Sequence, residues 1–137
     1  MALVPMLKLY GLTSIVFFAI DLVWIGVVAA GFYQKHLGHL LRPDVLWGAA
    51  VLFYLLYIAG LVVFAVLPGL EAGSLTRTVA LGAFFGLVAY ATFDLTCMAL
   101  FANFPVVVVV VDLLWGMVLS ATVSAAGFAL GRWLGVA

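Results

Sequence analysis

Three aspartates sit where charge is expensive. Asp21 in "FFAIDLVW", Asp94 in "ATFDLTCM" and Asp112 in "VVVVVVDLLWG" each precede a leucine inside an apolar run. A carboxyl group in such surroundings can exchange a proton, hold a cation, serve as general acid or base, or accept a hydrogen bond that pins two helices together. An Asp at the centre of a membrane helix costs about 2.5–3.5 kcal/mol on insertion scales, so three cost roughly 8–10 if nothing offsets them. That rivals the whole stability of a domain, about 5–15 kcal/mol. The five Lys and Arg residues sit near the ends of the apolar runs. The offset must therefore come from protonation, from hydroxyls such as Thr92, Thr96 or Tyr54, from water, or from a bound cation.

The composition says what surrounds these groups. The chain has 137 residues, 69% hydrophobic and 7% charged, with a mean hydropathy of +1.43. Soluble domains carry about 25% charged residues, so most of this chain needs lipid as its solvent. The net charge is zero, which argues against a nucleic-acid partner. One cysteine, Cys97, excludes an internal disulfide and a Cys-rich metal site. With no linker or low-complexity stretch, residues 1–137 read as a single transmembrane domain.

Four runs reach the roughly 20 residues that a span requires: about 6–31, 45–68, 78–102 and 106–133. Helices are expected because each pairs its own backbone groups, and the many short alternating segments of a β-barrel are absent. The first run is longer than a signal-peptide core, so it reads as a span rather than a cleaved leader. "PGLEAGSLTR" supplies turn formers, with Ser74 as a candidate N-cap, and "NFP" at 103–105 is a tight turn. Short turns make neighbours antiparallel. The expected fold is an all-α membrane protein, an antiparallel four-helix transmembrane bundle with both termini on one side. That side carries Lys8, Arg77 and Arg132 against Lys35 and Arg42 on the other. The one-residue excess favours cytoplasmic termini, and dual topology stays open.

These helices bring the acids to one depth. At 1.5 Å per residue, Asp21, Asp94 and Asp112 lie roughly 15, 12 and 10 Å from the end that carries the 32–44 turn. Tyr54 falls in the same layer. Asp21, Asp94, Asp112 and Tyr54 are therefore the candidate polar site, one group per helix. Candidate lining residues are Trp24, Trp115, Tyr57, Tyr90, Ser120 and Thr96. Asp112, Gly116, Ser120 and Ser124 recur every four residues, with Gly127 and Gly131 on the same side. Ser14 shares a face with Asp21, and Gly82 and Gly86 form a small-xxx-small pair. "DLVWIG" and "DLLWG" echo one another between antiparallel helices, as in an inverted repeat. The two tryptophans either wall the pocket or simply pack. Trp47 and Trp133 read as interfacial anchors.

The polar turn offers Lys35, His36, His39 and Arg42 to lipid head groups. His36 and His39 alone make an incomplete zinc site, so no metal is expected. No Ser-His-Asp set, glycine-rich phosphate loop or CxxCH motif occurs, and no cofactor is expected. Cys97 reads as a small buried hydrophobe.

"IDLVWIGVVAAGFYQKHLGHLLRP", "YLLYIAGLVVFAVLP", "GAFFGLVAYATFDLT" and "VDLLWG" together resemble a bacterial family of small membrane proteins, catalogued as domain of unknown function 2177. The resemblance covers nearly the whole chain, in order. It implies four spans in a bacterial inner membrane and no established activity, so it transfers no catalytic residue. The family's third-helix motif usually looks like "DLTN", where this chain has "DLTC"; Cys97 weakens any polar role at that position. Three functions follow. The first is a small proton- or cation-coupled transporter-like protein, with features shared by small multidrug-type transporters. The second is a lipid-modifying membrane enzyme or accessory factor, with the aspartates as acid and base. The third is a structural or assembly subunit with the aspartates as interhelical pins. The partners expected are the bilayer and a small cation or lipid-like ligand, with a homo-oligomer left open.

Overall fold

The computed structural model describes residues 3–136. Four helices are long and apolar enough to cross a membrane: α1 (Leu3–Val28), α3 (Trp47–Ala72), α4 (Leu75–Leu100) and α5 (Val106–Trp133). A short α2 (Ala30–Leu37) follows α1. No strand occurs among the described residues. Helix ends follow local chemistry. The Ser74 side chain accepts from the Arg77 N–H at 3.0 Å and starts α4. Gly73 takes the left-handed conformation (φ 62°) that ends α3.

Two boundaries depart from the sequence expectation. The first span ends in a π-helical turn, Trp24–Val28, closed by the Ala29 N–H on the Trp24 carbonyl at 2.7 Å. The wider turn breaks the helical phase at Ala29, and the chain restarts as α2. The segment expected to be a polar loop from residue 32 is therefore helical through Leu37. The second span runs past Pro68 to Ala72. A π-helical turn at Val62–Val66 precedes the proline, the kind of adjustment that lets a membrane helix tolerate a missing N–H.

Close packing is concentrated between α4 and α5. A Cβ added at Gly86 would strike the Gly116 carbonyl oxygen, and one at Gly82 would lie 2.8 Å from the Ser120 carbonyl oxygen. Positions rising along α4 thus meet positions falling along α5, so the two run antiparallel with backbones in contact. Gly127 faces Val66 and Thr13, and Gly131 faces Leu70. Leu9, Val62, Val66, Leu70, Phe128 and Val136 form one apolar cluster, and Phe17, Tyr57, Ile58, Leu61, Leu119 and Val123 a second.

In α1 the buried stripe is Leu9, Thr13, Phe17 and Asp21. Ser14 lies beside it, its hydroxyl donating to the Tyr10 carbonyl at 2.8 Å, a back-bond that takes it out of the site. The first half of α3 behaves differently from the rest. Of residues 47–56 only Ala50 and Tyr54 are even half-buried, and full burial begins at Tyr57. This half packs on α1 and stands away from α4. The bundle is closed at one end and splayed at the other.

Candidate functional site

The splay leaves a half-open cavity of about 520 Å³, into which Asp21, Asp94, Asp112 and Tyr54 all project. The α4–α5 seam fixes two of them. Gly86 and Gly116 bring the helices together, and Asp94 and Asp112 follow two turns and one turn further along. The two carboxyl groups face one another. Asp94 is fully buried (0% exposed), and neither of its oxygens has a hydrogen-bond partner among the described residues. Asp112 is better served: it accepts a hydrogen bond from the Tyr33 hydroxyl. That hydroxyl in turn lies 3.4 Å from the Trp24 indole N–H, which donates to it.

Asp21 sits apart from this pair and faces the Tyr54 hydroxyl and the Trp115 indole. The Trp115 Nε1 is buried and closes no hydrogen bond of standard geometry. Trp24 and Trp115 stack face to face, with ring centroids 4.2 Å apart and planes 10° from parallel. The arrangement is reciprocal. The tryptophan of α1 serves the aspartate of α5 through Tyr33, and the tryptophan of α5 faces the aspartate of α1. The echo between "DLVWIG" and "DLLWG" thus has a spatial counterpart. Tyr90 completes the wall, its ring lying where a Cβ at Gly116 would come within 2.5 Å.

The other sequence candidates divide. Tyr57 and Ser120 are buried and hydrogen-bonded to each other, outside the cavity lining. Thr96 is exposed and lines nothing, because two residues turn a helix by about 200° and point it away from Asp94. Thr92 is exposed as well, bonded to its own Val88 carbonyl at 2.6 Å. Both threonines therefore drop out as partners for the acids. Lys35, His39 and Arg42 are exposed, whereas His36 packs against the Phe32 ring at 4.7 Å.

Tyr33 is the residue that sequence reasoning missed. It lies beyond the first apolar run and enters the site only because the chain breaks at Ala29 and α2 folds back. Tyr33, His36 and Leu37 share a half-buried face of α2 after "AAG", but their residue types alone do not mark that face in the sequence. Burial, and then the hydrogen bond to Asp112, push the Tyr33 hydroxyl above its ordinary value of 10, so it remains a donor.

Over residues 6–129 the chain matches the family described as "Predicted membrane protein (DUF2177)". The chain belongs to this family. Family membership and the four apolar helices agree that it is an integral membrane protein. No curated protein and no solved structure matches it. In this family member, no basic side chain lines the cavity among the described residues. Among those residues no group of three or more His, Cys, Asp or Glu converges as metal ligands do. The site is thus an acidic pair with a separate third carboxyl, enclosed by aromatic rings. Its side chains have the chemistry to take up a proton or a positive charge.

Proposed function

We propose that the chain is a small proton- or cation-coupled transporter-like membrane protein whose exchange site is the Asp94–Asp112 pair. The observation that carries this reading is Asp94, fully buried with both oxygens unpartnered beside a second carboxyl group. Two facing carboxyl groups with no basic partner are held together by a shared proton or by a cation. Arrival of a cation then displaces a proton, which is the elementary step of coupled exchange. We also propose a bacterial inner-membrane location, which the family resemblance supports, with cytoplasmic termini on a one-residue Lys/Arg excess.

The test is proton release from the purified protein, followed with a pH-sensitive dye as sodium or tetramethylammonium chloride is added. The wild type is expected to release on the order of one proton per cation bound. The Asp94→Asn/Asp112→Asn double variant should release none. Equal release from the double variant, or none from the wild type anywhere between about pH 5 and 9, would overturn the proposal. A second reading, with the aspartates as pins, is supported by the Tyr33–Asp112 bond that ties α2 to α5. It predicts that Asp112→Ala, which removes the acceptor, loosens α2 while transport of every cation is absent from the wild type too.

A further inference from the structure

We infer that the cavity takes the head group of a cationic amphiphile, a quaternary or protonated amine carrying an apolar tail, which enters from the bilayer between α3 and α4. This rests on the cation reading above and adds the substrate class and its route.

The head group follows from the lining. Three carboxyl groups and no basic side chain face the cavity among the described residues. The fully buried and unpartnered Asp94 points to a positive ligand. Trp24, Trp115, Tyr33, Tyr54 and Tyr90 surround it. Ring faces attract weakly hydrated organic ammonium groups, the chemistry of aromatic cages. A small hard ion instead wants six or more converging oxygens. About 520 Å³ lies in the range of small-molecule sites, roughly 300–1,000 Å³, and holds a head group with the first part of a tail. An anionic amphiphile is repelled by the carboxyl groups. A zwitterionic one would bring a phosphate to a site without a base.

The route follows from which walls are missing. At the end of the bundle, α2 covers the cavity, with Tyr33 bonded to Asp112 and Leu37 in the lining. The first half of α3 stands away from α4, and the two residues flanking that gap are Phe53 and Phe93. Both line the cavity, yet they are 49% and 61% exposed. The cavity wall is therefore continuous with the lipid-facing surface. Phe53 and Phe93 lie six and seven residues inside their helix ends, or roughly 10 Å. At about this depth the head group of an amphiphile meets the acyl chains. A tail leaving between the two rings stays in hydrocarbon.

The experiment uses the full chain in phosphatidylethanolamine–phosphatidylglycerol nanodiscs, with tryptophan fluorescence as the readout. The probes are dodecyltrimethylammonium, tetramethylammonium and dodecyl sulfate. A dodecyltrimethylammonium analogue with a diazirine on its tail maps the route by photolabelling. Saturable binding of dodecyltrimethylammonium is expected, with tetramethylammonium at least ~10-fold weaker because it lacks the buried tail. Asp94→Asn and Asp21→Asn, on different helices, should each weaken binding by ~10-fold or more. Asp44→Asn, an exposed acid outside the cavity, should change nothing. The diazirine should label Phe53 and Phe93, and Asp94→Asn should abolish that labelling.

Equal binding of the tailless cation, or labelling confined to α2 and residues 38–44, would overturn the tail and the lateral route while leaving a cation site in place. Binding of dodecyl sulfate as tight as that of the cation would overturn the inference as mere partitioning. Loss of all organic-cation binding with sodium-driven proton release intact would overturn the inference and spare the proposed function. Loss of both would sink the two together.

Discussion

Adding one methyl group at Gly86 tests whether the α4–α5 seam builds the site. In isolation, Gly→Ala in a helix interior gains about 1 kcal/mol of propensity. In the structure the new Cβ would overlap the Gly116 carbonyl oxygen, with the Gly116 carbonyl carbon at 2.7 Å and the Ser120 Oγ at 2.5 Å. Two of those three atoms are backbone and cannot rotate away, so the helices must separate. Overpacking of this kind costs about 1–3 kcal/mol, which offsets the propensity gain and leaves a net loss of up to about 2 kcal/mol. The unfolding equilibrium should shift by up to roughly 30-fold. Gly11→Ala is the matched control, since nothing lies within 4 Å of its added Cβ; it should be neutral or up to about 1 kcal/mol stabilising. Thermal unfolding in a mild detergent, followed by tryptophan fluorescence, ranks the two. Because the seam sets the Asp94–Asp112 approach, Gly86→Ala should also lower cation-driven proton release. If Gly86→Ala melts at or above Gly11→Ala, the backbone seam does not hold the helices as described.

Other expectations follow from single contacts. Tyr33→Phe removes the donor to Asp112, a contact worth about 1.5–3 kcal/mol if the acceptor is charged, so amide exchange in residues 30–37 should accelerate at least ~10-fold; unchanged exchange would refute the tether. Because the folded Tyr33 hydroxyl titrates above its ordinary value of 10, the stability it contributes is present below that pH and is lost as pH rises beyond it. Tyr33→Phe should therefore flatten the alkaline end of a stability–pH profile, and an unaltered slope would contradict the assignment. Asp94→Asn replaces one of two facing buried carboxyls with a neutral amide that can donate to the other, so it should raise the heat stability of the ligand-free protein, in contrast to Asp112→Ala, which removes the acceptor for Tyr33. Equal destabilisation by both would count against an unpartnered Asp94.

Much of this was legible because lipid imposes strong rules. Apolar run length located the four helices, and counting residues from the turns placed Asp21, Asp94, Asp112 and Tyr54 at one depth. The four-residue recurrence from Asp112 to Ser124 marked the inward face of α5, and the structure sets that face against α4. Rotation about an axis was harder. Thr96 shares the depth of Asp94 yet points outward, since depth and facing are independent coordinates. The π-helical turn at Trp24–Val28 inserts an extra residue into the bonding pattern without any marker in composition, so neither the break at Ala29 nor the return of Tyr33 could be counted out. The splay of α3 was hidden for another reason. Its first half is uniformly apolar, and in lipid an apolar surface gives no clue to whether it faces a neighbour or the membrane.

The seam between α4 and α5 has a mechanical consequence. Where backbones touch through Gly82, Gly86 and Gly116, there is no side-chain layer to slide or repack, so these helices form one stiff rod that carries Asp94 and Asp112 as fixed points. α2 is tied to that rod by the Tyr33–Asp112 bond, and the splayed half of α3 stands away from α4. In the exchange cycle proposed above, the rod would be the stator, and α2 with the splayed half of α3 the part with room to move.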